Sequence, residues 1–524
     1  MNKTIKEAAT LKRTVVQHRL LMVLGLLALL AACQYGGENK IHQAATDALA
    51  MATQTDPPVI KATPIPTPQP VKLSVPSRWL QAVERSISEL PQNPARWLWD
   101  VIEAEDPPAE LSQGRAHVAL VPGNQGEPAG SRPLAFVVPF ATTHDALTLS
   151  EAEQILDQGS GSVEVVDWAE VTAEKSVLRV DGFHPSDADY PMMQSWSLIA
   201  APGFESAAAE LGPGLQTAIS QDQVVMLAAV GDIILDVGLG ETIAFSSAGD
   251  PFAEVSELLT TADLTIGNFE AALGDQGQPA DKEFTFRAPA EAVLSLESAG
   301  FDLLSLANNH AMDYGPHALL QGIDLLLERG IATVGAGRDE VTAHLPFIFR
   351  INDMEVAFLS YVNVPVEWHG FDTRSWSASP TQPGVAWADP ERIRSEVEAA
   401  TYAADLVIVL LHSGNECIYQ PSSVQEAAAH AAIEAGATLV LGHHAHVLQG
   451  VEFYGGGVIA YGLGDFTFPE CGTHSGAIFN LWLDARGVRQ LEVVPIVFAP
   501  DGHPLPAEGE QAATIRNLVV ELTN

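Results

Sequence analysis

Six times between residues 224 and 465 an apolar, strand-like run stops abruptly in a polar cluster. The run 224–230 ends in Gly231-Asp232, DLTIG in Asn268-Phe269-Glu270, and FDLLSLA in Asn308-Asn309-His310. DLVIVLL ends in His412-Ser413-Gly414-Asn415-Glu416, ATLVLG in His443-His444-Ala445-His446, and the run before Gly464 in Asp465. Short apolar runs bounded in this way read as strands buried on both faces. Between them lie helical stretches, FAEVSELLTTA, AEAVLSLESAG, HALLQGIDLLLERG and SVQEAAAHAAIEAG, and one hairpin-like stretch, IFRINDMEVAFLSYV. This alternation predicts an α/β domain over 222–500, and open α/β sheets hold ligands at the carboxyl ends of their strands.

The collected strand ends hold carboxylates, amide oxygens and imidazoles, the donor set of a hard-to-borderline divalent cation. A single loop histidine is usually a satisfied polar group, but six strand ends repeating the feature are hard to read that way. His444 and His446, at i and i+2, can face one ion if the backbone turns after Gly442.

The motifs GD, NFE, NNH, HSGNE and GHHAH, in this order, resemble those of the CapA family of capsule-synthesis proteins, over roughly 224–498. That resemblance implies a calcineurin-like metallophosphatase fold, two packed β-sheets flanked by helices, with metals at the strand ends. It also implies a role for each motif residue. Asp232 matches the first metal carboxylate, Glu270 the metal-bridging acid, Asn309 the amide-oxygen ligand, and His412, His444 and His446 the later ligands. His310 matches the catalytic histidine that protonates a leaving oxygen, with Asp313 as the carboxylate that holds it. One departure stands out. Metallophosphatases carry a histidine two residues after the first aspartate, and here that residue is Ile234. The expected cofactor is therefore one or two divalent ions, with manganese, zinc or iron all compatible. Asn268, Asn308 and His443 are expected to face substrate; Glu416, with Tyr419, either lines the substrate pocket or serves packing and support behind it. Arg287 is either a clamp for an anionic substrate or a loop arginine paired with one of many acids.

The rest of the chain sets the context. A net charge of −40 argues against a nucleic-acid partner held through phosphates. The N-terminus carries Lys3, Lys6, Lys12, Arg13 and Arg19 before an apolar run, Leu20 to Ala32, too short to span a bilayer and of signal-peptide length. It closes as Leu30-Ala31-Ala32-Cys33, which resembles a bacterial lipobox, so residues 1–33 are expected to be a lipoprotein signal peptide with Cys33 acylated. Residues 34–75, rich in proline, read as a tether. Residues 76–218 mix β-like and helical runs, among them PLAFVVP and the capped helix TLSEAEQILDQG, and resemble part of a periplasmic phosphate-type solute-binding protein. That domain is either a sensor or a docking module. Residues 501–524 read as a tail with a short helix. Cys417 and Cys471 would meet an oxidising compartment if the signal peptide is real, which favours a disulfide over free thiols or metal ligation.

Together these readings predict a lipid-anchored protein on the extracytoplasmic face of the cell membrane, serving capsule or poly-γ-glutamate biosynthesis. It is either a metal-dependent hydrolase or transferase, acting on an anionic polymer or a phosphoester, or a non-catalytic export or assembly partner of other capsule-synthesis membrane proteins. The anchor is tested directly. Replacing Cys33 by Ser should leave the protein poorly processed or released into the soluble fraction in detergent-free fractionation, because acyl chains would supply its stable membrane affinity; normal processing with unchanged membrane association would refute the lipobox.

Overall fold

Alternate residues of the central strands bury two different apolar faces. In Val225–Ile233, Leu227 and Ala229 point into one core, and Ala228 and Val230 into another. In Leu406–Ser413, Ile408 and Leu410 share the core of Leu227, whereas Val407 and Val409 face a third core with the helices. A strand that buries both faces must lie between layers. The result, in a computed structural model describing residues 67–91, 96–140, 142, 146–236, 250–367, 369–387 and 389–523, is two sheets packed face to face with helices outside. Residues 1–33, expected to be a lipoprotein signal peptide ending at Cys33, and most of the proline-rich stretch that follows lie outside the described residues.

The first sheet has seven strands in the order Ala332–Val334, Leu303–Ser305, Leu264–Phe269, Val225–Ile233, Ser475–Asp484, Gly487–Phe498 and Pro504–Pro506. Its first four strands are parallel and its last three join antiparallel. The second sheet has six strands in the order Phe347–Ile351, Met354–Asn363, Leu406–Ser413, Leu439–His443, Gly457–Ala460 and Val451–Tyr454. Its four middle strands are parallel. Parallel pairing brings all the polar clusters to one end of each sheet. This is the two-sheet, helix-flanked α/β architecture expected from the sequence, preceded by a smaller α/β domain.

That smaller domain is an eight-stranded mixed sheet, covered by the helix Glu205–Ser220 through Leu211, Leu215 and Ile219. It begins earlier than the sequence reading placed it. Gln69–Val75, assigned there to the tether, pairs in parallel with Trp97–Glu103 over its whole length and buries Val71, Leu73 and Val75. The period-two pattern of these three residues wins over the prolines before them, because Pro70 sits near the strand's start, where a missing N–H is tolerated. The C-terminal segment is likewise more than a tail. Pro504–Pro506 extends the seven-stranded sheet, and the helix Gly509–Leu522 buries Ile515 and Val519 in the core between the sheets. FAEVSELLTTA, read as a full helix, is helical only over Ser256–Thr260. The helix after PLAFVVP runs Leu149–Gln158, with a Thr148–Glu151 capping box and Gly159 at its end.

The small domain docks on the antiparallel half of the seven-stranded sheet. Trp482 stacks on His184 with ring centroids 4.1 Å apart and meets Trp168 edge-on at 6.3 Å. Arg179 forms a bidentate pair with Glu492, both bonds 2.9 Å. Trp482 lies opposite Met226, at the start of the strand that carries Asp232 near its end, so this dock sits at the far end from the polar clusters. His184 Nε2 hydrogen-bonds Gln490 Oε1 at 2.7 Å, and Ser186 N–H donates to Nδ1 at 3.1 Å.

Burial pulls the His184 imidazole down from 6.5 to about 4. Its folded pKa lies below the unfolded one, so the unfolded chain takes up the proton first. The stability tied to the neutral ring is full above pH 6.5 and is lost as pH falls toward about 4. Across that window wild type should lose about 3 kcal/mol more unfolding free energy than His184→Gln, read from denaturant titrations at both ends. Equal losses would show that the buried ring does not carry the effect.

Candidate metal centre and its histidine–carboxylate pair

The strand ends converge because glycines let backbones approach. A Cβ at Gly231 would lie 1.9 Å from Gly464 O, and one at Gly442 would lie 1.9 Å from Tyr461 O. After Gly442 the chain turns, with His444 (φ 84°) and His446 (φ 55°) both in the left-handed region. That conformation is costly for residues with a Cβ and is typically retained where function needs it. The turn sets both imidazoles beside the carboxylates, as the i, i+2 spacing requires.

Asp232, Glu270, His412, His444, His446 and Asp465 are all buried and fall into three overlapping donor groups. These are Glu270 with His444 and His446, Asp232 with Glu270 and His412, and Asp232 with His446 and Asp465, the ligand atoms of each lying within 4.8 Å of one another. His412 Nε2 is 2.7 Å from Asn309 Oδ1 and 3.4 Å from Glu270 Oε1. His446 Nδ1 is 2.8 Å from Asp465 Oδ1 and 3.6 Å from Asp232 Oδ2. His444 N–H donates to Asp232 Oδ2 at 3.0 Å. The sequence-derived set Asp232, Glu270, Asn309, His412, His444 and His446 is thus brought together from five strand ends.

The electrostatics are those of a cation pocket. Burial, reinforced by Asp232, pushes the Glu270 carboxyl well above its usual range. Burial pushes the Asp465 carboxyl up to about 7, against the pull of His446. Burial and the neighbouring imidazoles push His412 and His444 well below theirs. For His446 burial acts downward, but Asp465, Glu270 and Glu470 outweigh it and hold the ring well above its usual value. Two donor atoms, Glu270 Oε1 and His444 Nδ1, are buried without a hydrogen-bond partner. Neutral imidazoles and orphaned carboxylate oxygens are the groups a divalent ion would satisfy, and such an ion would bring the carboxylates back to their ionised form. The donor set fits a metal.

Beside this cluster stands a second one. His310 Nδ1 is 2.7 Å from Asp313 Oδ2, and the His310 ring stacks on Phe286 at 4.3 Å. Lys282, its side chain 1% exposed, reaches Asp313 Oδ1 at 2.9 Å and Glu367 Oε1 at 2.6 Å, and donates to Asn309 O at 2.9 Å. Its ammonium also lies 5.1 Å from the Trp376 ring centroid. Glu367 Oε1 accepts in addition from Asn309 Nδ2 at 3.0 Å, which leaves Asn309 Oδ1 turned toward His412.

Several expected substrate contacts belong to the scaffold instead. Asn268 donates to Asp232 Oδ1 at 2.8 Å and accepts from Asn308 at 3.1 Å, and Asn308 also donates to Phe269 O. Both amides are buried and brace the first carboxylate. His443 hydrogen-bonds Val230 O at 3.3 Å, tying the central strands of the two sheets together below the cluster. Glu416 stays exposed, because the loop carrying it turns outward at Cys417 (φ 61°). Tyr419 is also exposed. Arg287 stacks over Tyr314, 3.5 Å from the ring centroid, and donates to Gln276 O, so its guanidinium is engaged within its own loop region. Cys417 and Cys471 are disulfide-bonded, their Cα atoms 5.4 Å apart.

Sequence reasoning missed Lys282, Glu367 and Glu470, and gave Asp465 no specific role. A signal for Lys282 existed. It is the only lysine after Lys175, in a chain whose charge is overwhelmingly negative.

A two-sheet α/β fold with carboxylate, amide and imidazole donors at its strand ends is metallophosphatase-like. A profile of the bacterial capsule synthesis protein family PGA_cap matches residues 226–470. The PGA biosynthesis protein CapA of Bacillus subtilis is 32% identical over 280 residues, which is 52% of this chain and 72% of that protein. The capsule biosynthesis protein CapA of Bacillus anthracis is 32% identical over 296 residues, 55% of this chain and 70% of that one. The chain belongs to this CapA family of capsule-synthesis proteins. Among solved structures, a hypothetical protein from Thermus thermophilus aligns over 54% of this chain and 100% of its own, at 15% identity and a TM-score of 0.34. A phosphate transport receptor from Vibrio cholerae aligns over 28% of this chain and 93% of its own, at 11% identity and a TM-score of 0.22.

Lys282 carries a stability prediction. Lys282→Met would leave buried Asp313 and partly buried Glu367 without their counter-charge, and breaking a buried pair on one side costs about 3–5 kcal/mol. Denaturant unfolding should show a loss of that order; a loss below about 1 kcal/mol, the scale of exposed pairs, would mean the ammonium is not a structural counter-ion.

Proposed function

We propose that the chain is a lipid-anchored, extracytoplasmic enzyme of poly-γ-glutamate capsule synthesis, a metal-dependent hydrolase or transferase acting on a phosphoester or γ-glutamyl bond. The observation that carries catalysis is the His310–Asp313 pair. It adjoins Asn309 at the cluster's edge, and His310 is in none of the three donor groups. A site that merely stored a cation would have no use for a carboxylate-held histidine there.

Asp232, Glu270, Asn309, His412, His444 and His446 would hold the metal, with manganese, zinc and iron all chemically suited to these donors. When bound, such an ion polarises a phosphoryl or carbonyl oxygen and supplies hydroxide near neutral pH. The chain's own residues do the rest. Asp313 accepts from His310 Nδ1–H, which fixes the tautomer and leaves Nε2 to carry the proton to the leaving oxygen. Phe286 holds the plane of that ring, and Lys282 offsets the charge of Asp313 and Glu367. The Cys417–Cys471 disulfide supports the extracytoplasmic placement, since such bonds persist in oxidising compartments. The relatives' names support capsule polymer as the product being served; other capsule-synthesis membrane proteins are the partners this reading expects.

The test is turnover of the metal-loaded protein on phosphodiesters and γ-glutamyl peptides. His310→Ala should keep the wild-type metal content and circular dichroism, and should lower turnover by about 10²–10⁴-fold. Wild type inactive on every such substrate, together with normal capsule from a His310→Ala strain, would replace this reading with a non-catalytic export or assembly partner.

A further inference from the structure

The residue two positions after Asp232 is Ile234, fully buried, where a metallophosphatase would place a histidine ligand. Its backbone is locked on both sides by Thr467, whose hydroxyl accepts from Ile234 N–H at 2.8 Å and donates to Ile234 O at 2.9 Å. No donor can come from that side chain. The pocket around Asp232 nevertheless contains one from elsewhere. Asp232 and Asp465 form a parallel backbone bridge, with Asp232 N–H donating to Gly464 O at 3.0 Å and Phe466 N–H to Asp232 O at 2.8 Å. Bridged neighbours present their side chains on the same face of a sheet, as residues i and i+2 of one strand do. Asp465 therefore occupies, from the adjacent segment, the face that a histidine at 234 would have served.

Asp465 Oδ1, Asp232 and His446 form a donor group spanning no more than 4.8 Å, and Glu470 Oε2 lies 3.5 Å from His446 Nε2. Among the described residues the ion-pair partners of Asp232, Glu270 and Asp465 are histidines, and Glu270 Oε1 has no hydrogen bond at all. Three buried carboxylates so close together either take up protons or share a cation, since unpaired buried charge is costly, and a bound ion would keep them ionised.

We propose that Asp465 replaces the missing histidine ligand, so that Asp232, Glu270, His446 and Asp465 form a second, carboxylate-rich metal position beside the imidazole-rich one of Asn309, His412 and His444. Oxygen donors suit harder cations, so this position accommodates manganese better than the imidazole-rich one does. The inference rests on the metal-site reading above but not on catalysis, and its readout is metal content rather than turnover.

The full chain, stripped with chelator and reloaded with manganese, should bind two ions per chain and give an exchange-coupled dimanganese resonance signal. Asp465→Ala should fall to one ion and the signal of an isolated ion. Ile234→His added to Asp465→Ala should restore the second ion, because it returns a donor to the same face; a carboxylate that only orients His446 could not be replaced in this way. One ion in the wild type, two retained in Asp465→Ala, or no recovery in a folded double variant would each overturn the assignment. If the single variant does not fold, the wild-type resonance signal decides alone, and an isolated-ion signal overturns it. Two ions without turnover would leave the assignment standing and sink the catalytic reading instead.

Discussion

Three carboxylates, Asp232, Glu270 and Asp465, are buried where the sheets end, with imidazoles rather than lysine or arginine as their ion-pair partners. Keeping that charge out of water constrains everything around it. The strands must be parallel so that their ends meet, and they must be buried on both faces so that the pocket stays dry. Glycines must stand at 231 and 442, where a Cβ would strike a carbonyl. Asn268 and Asn308 must give their amide protons to the cluster and its backbone rather than to a substrate. A bound divalent cation would turn this repulsive arrangement into an attractive one.

The layered architecture was legible because its signal is local. Alternating apolar faces, polar strand ends and the capped helix after PLAFVVP can each be read within a dozen residues. The motif donors were legible for the same reason, as was the turn implied by two histidines at i and i+2. What escaped reading depends on pairing across the chain. Asp465 meets Asp232 through a backbone bridge between segments more than two hundred residues apart, and nothing in GDF announces that register. His443 looks like part of the same motif as His444, yet a strand's alternation sends it to Val230 O. Gln69–Val75 was hidden by prolines next to it, and the role of Gly509–Leu522 depends on a core built from two other sheets. Lys282 was visible as a rarity of composition, but its two carboxylate partners come from separate loops.

The two clusters at the site have opposite electrostatic designs. Around Asp232 the chain gathers carboxylates that a bound metal would hold in their ionised form. Around His310 it supplies its own cation, Lys282, and spends it on Asp313 and Glu367. Arg287 is engaged with Tyr314 and Gln276. Lys282 is therefore not free to attract an anionic substrate to a chain of net charge −40, whereas Arg287 keeps an Nε without a hydrogen-bond partner. Under the proposed function much of the attraction would come from the metal position itself. An acidic surface repels a polyanion at distances up to about 8 Å at physiological salt, and within that range bound ions would reverse the sign. A carboxylate-rich pocket pulls in the opposite direction, because each added carboxylate lowers the net positive charge left on the metals for substrate. By this balance, replacing a neutral histidine by Asp465 trades attraction for a polyanion against firmer hold on the ion. That trade suits a site that engages one end or one bond of a chain and then lets it go, rather than one that binds along its length.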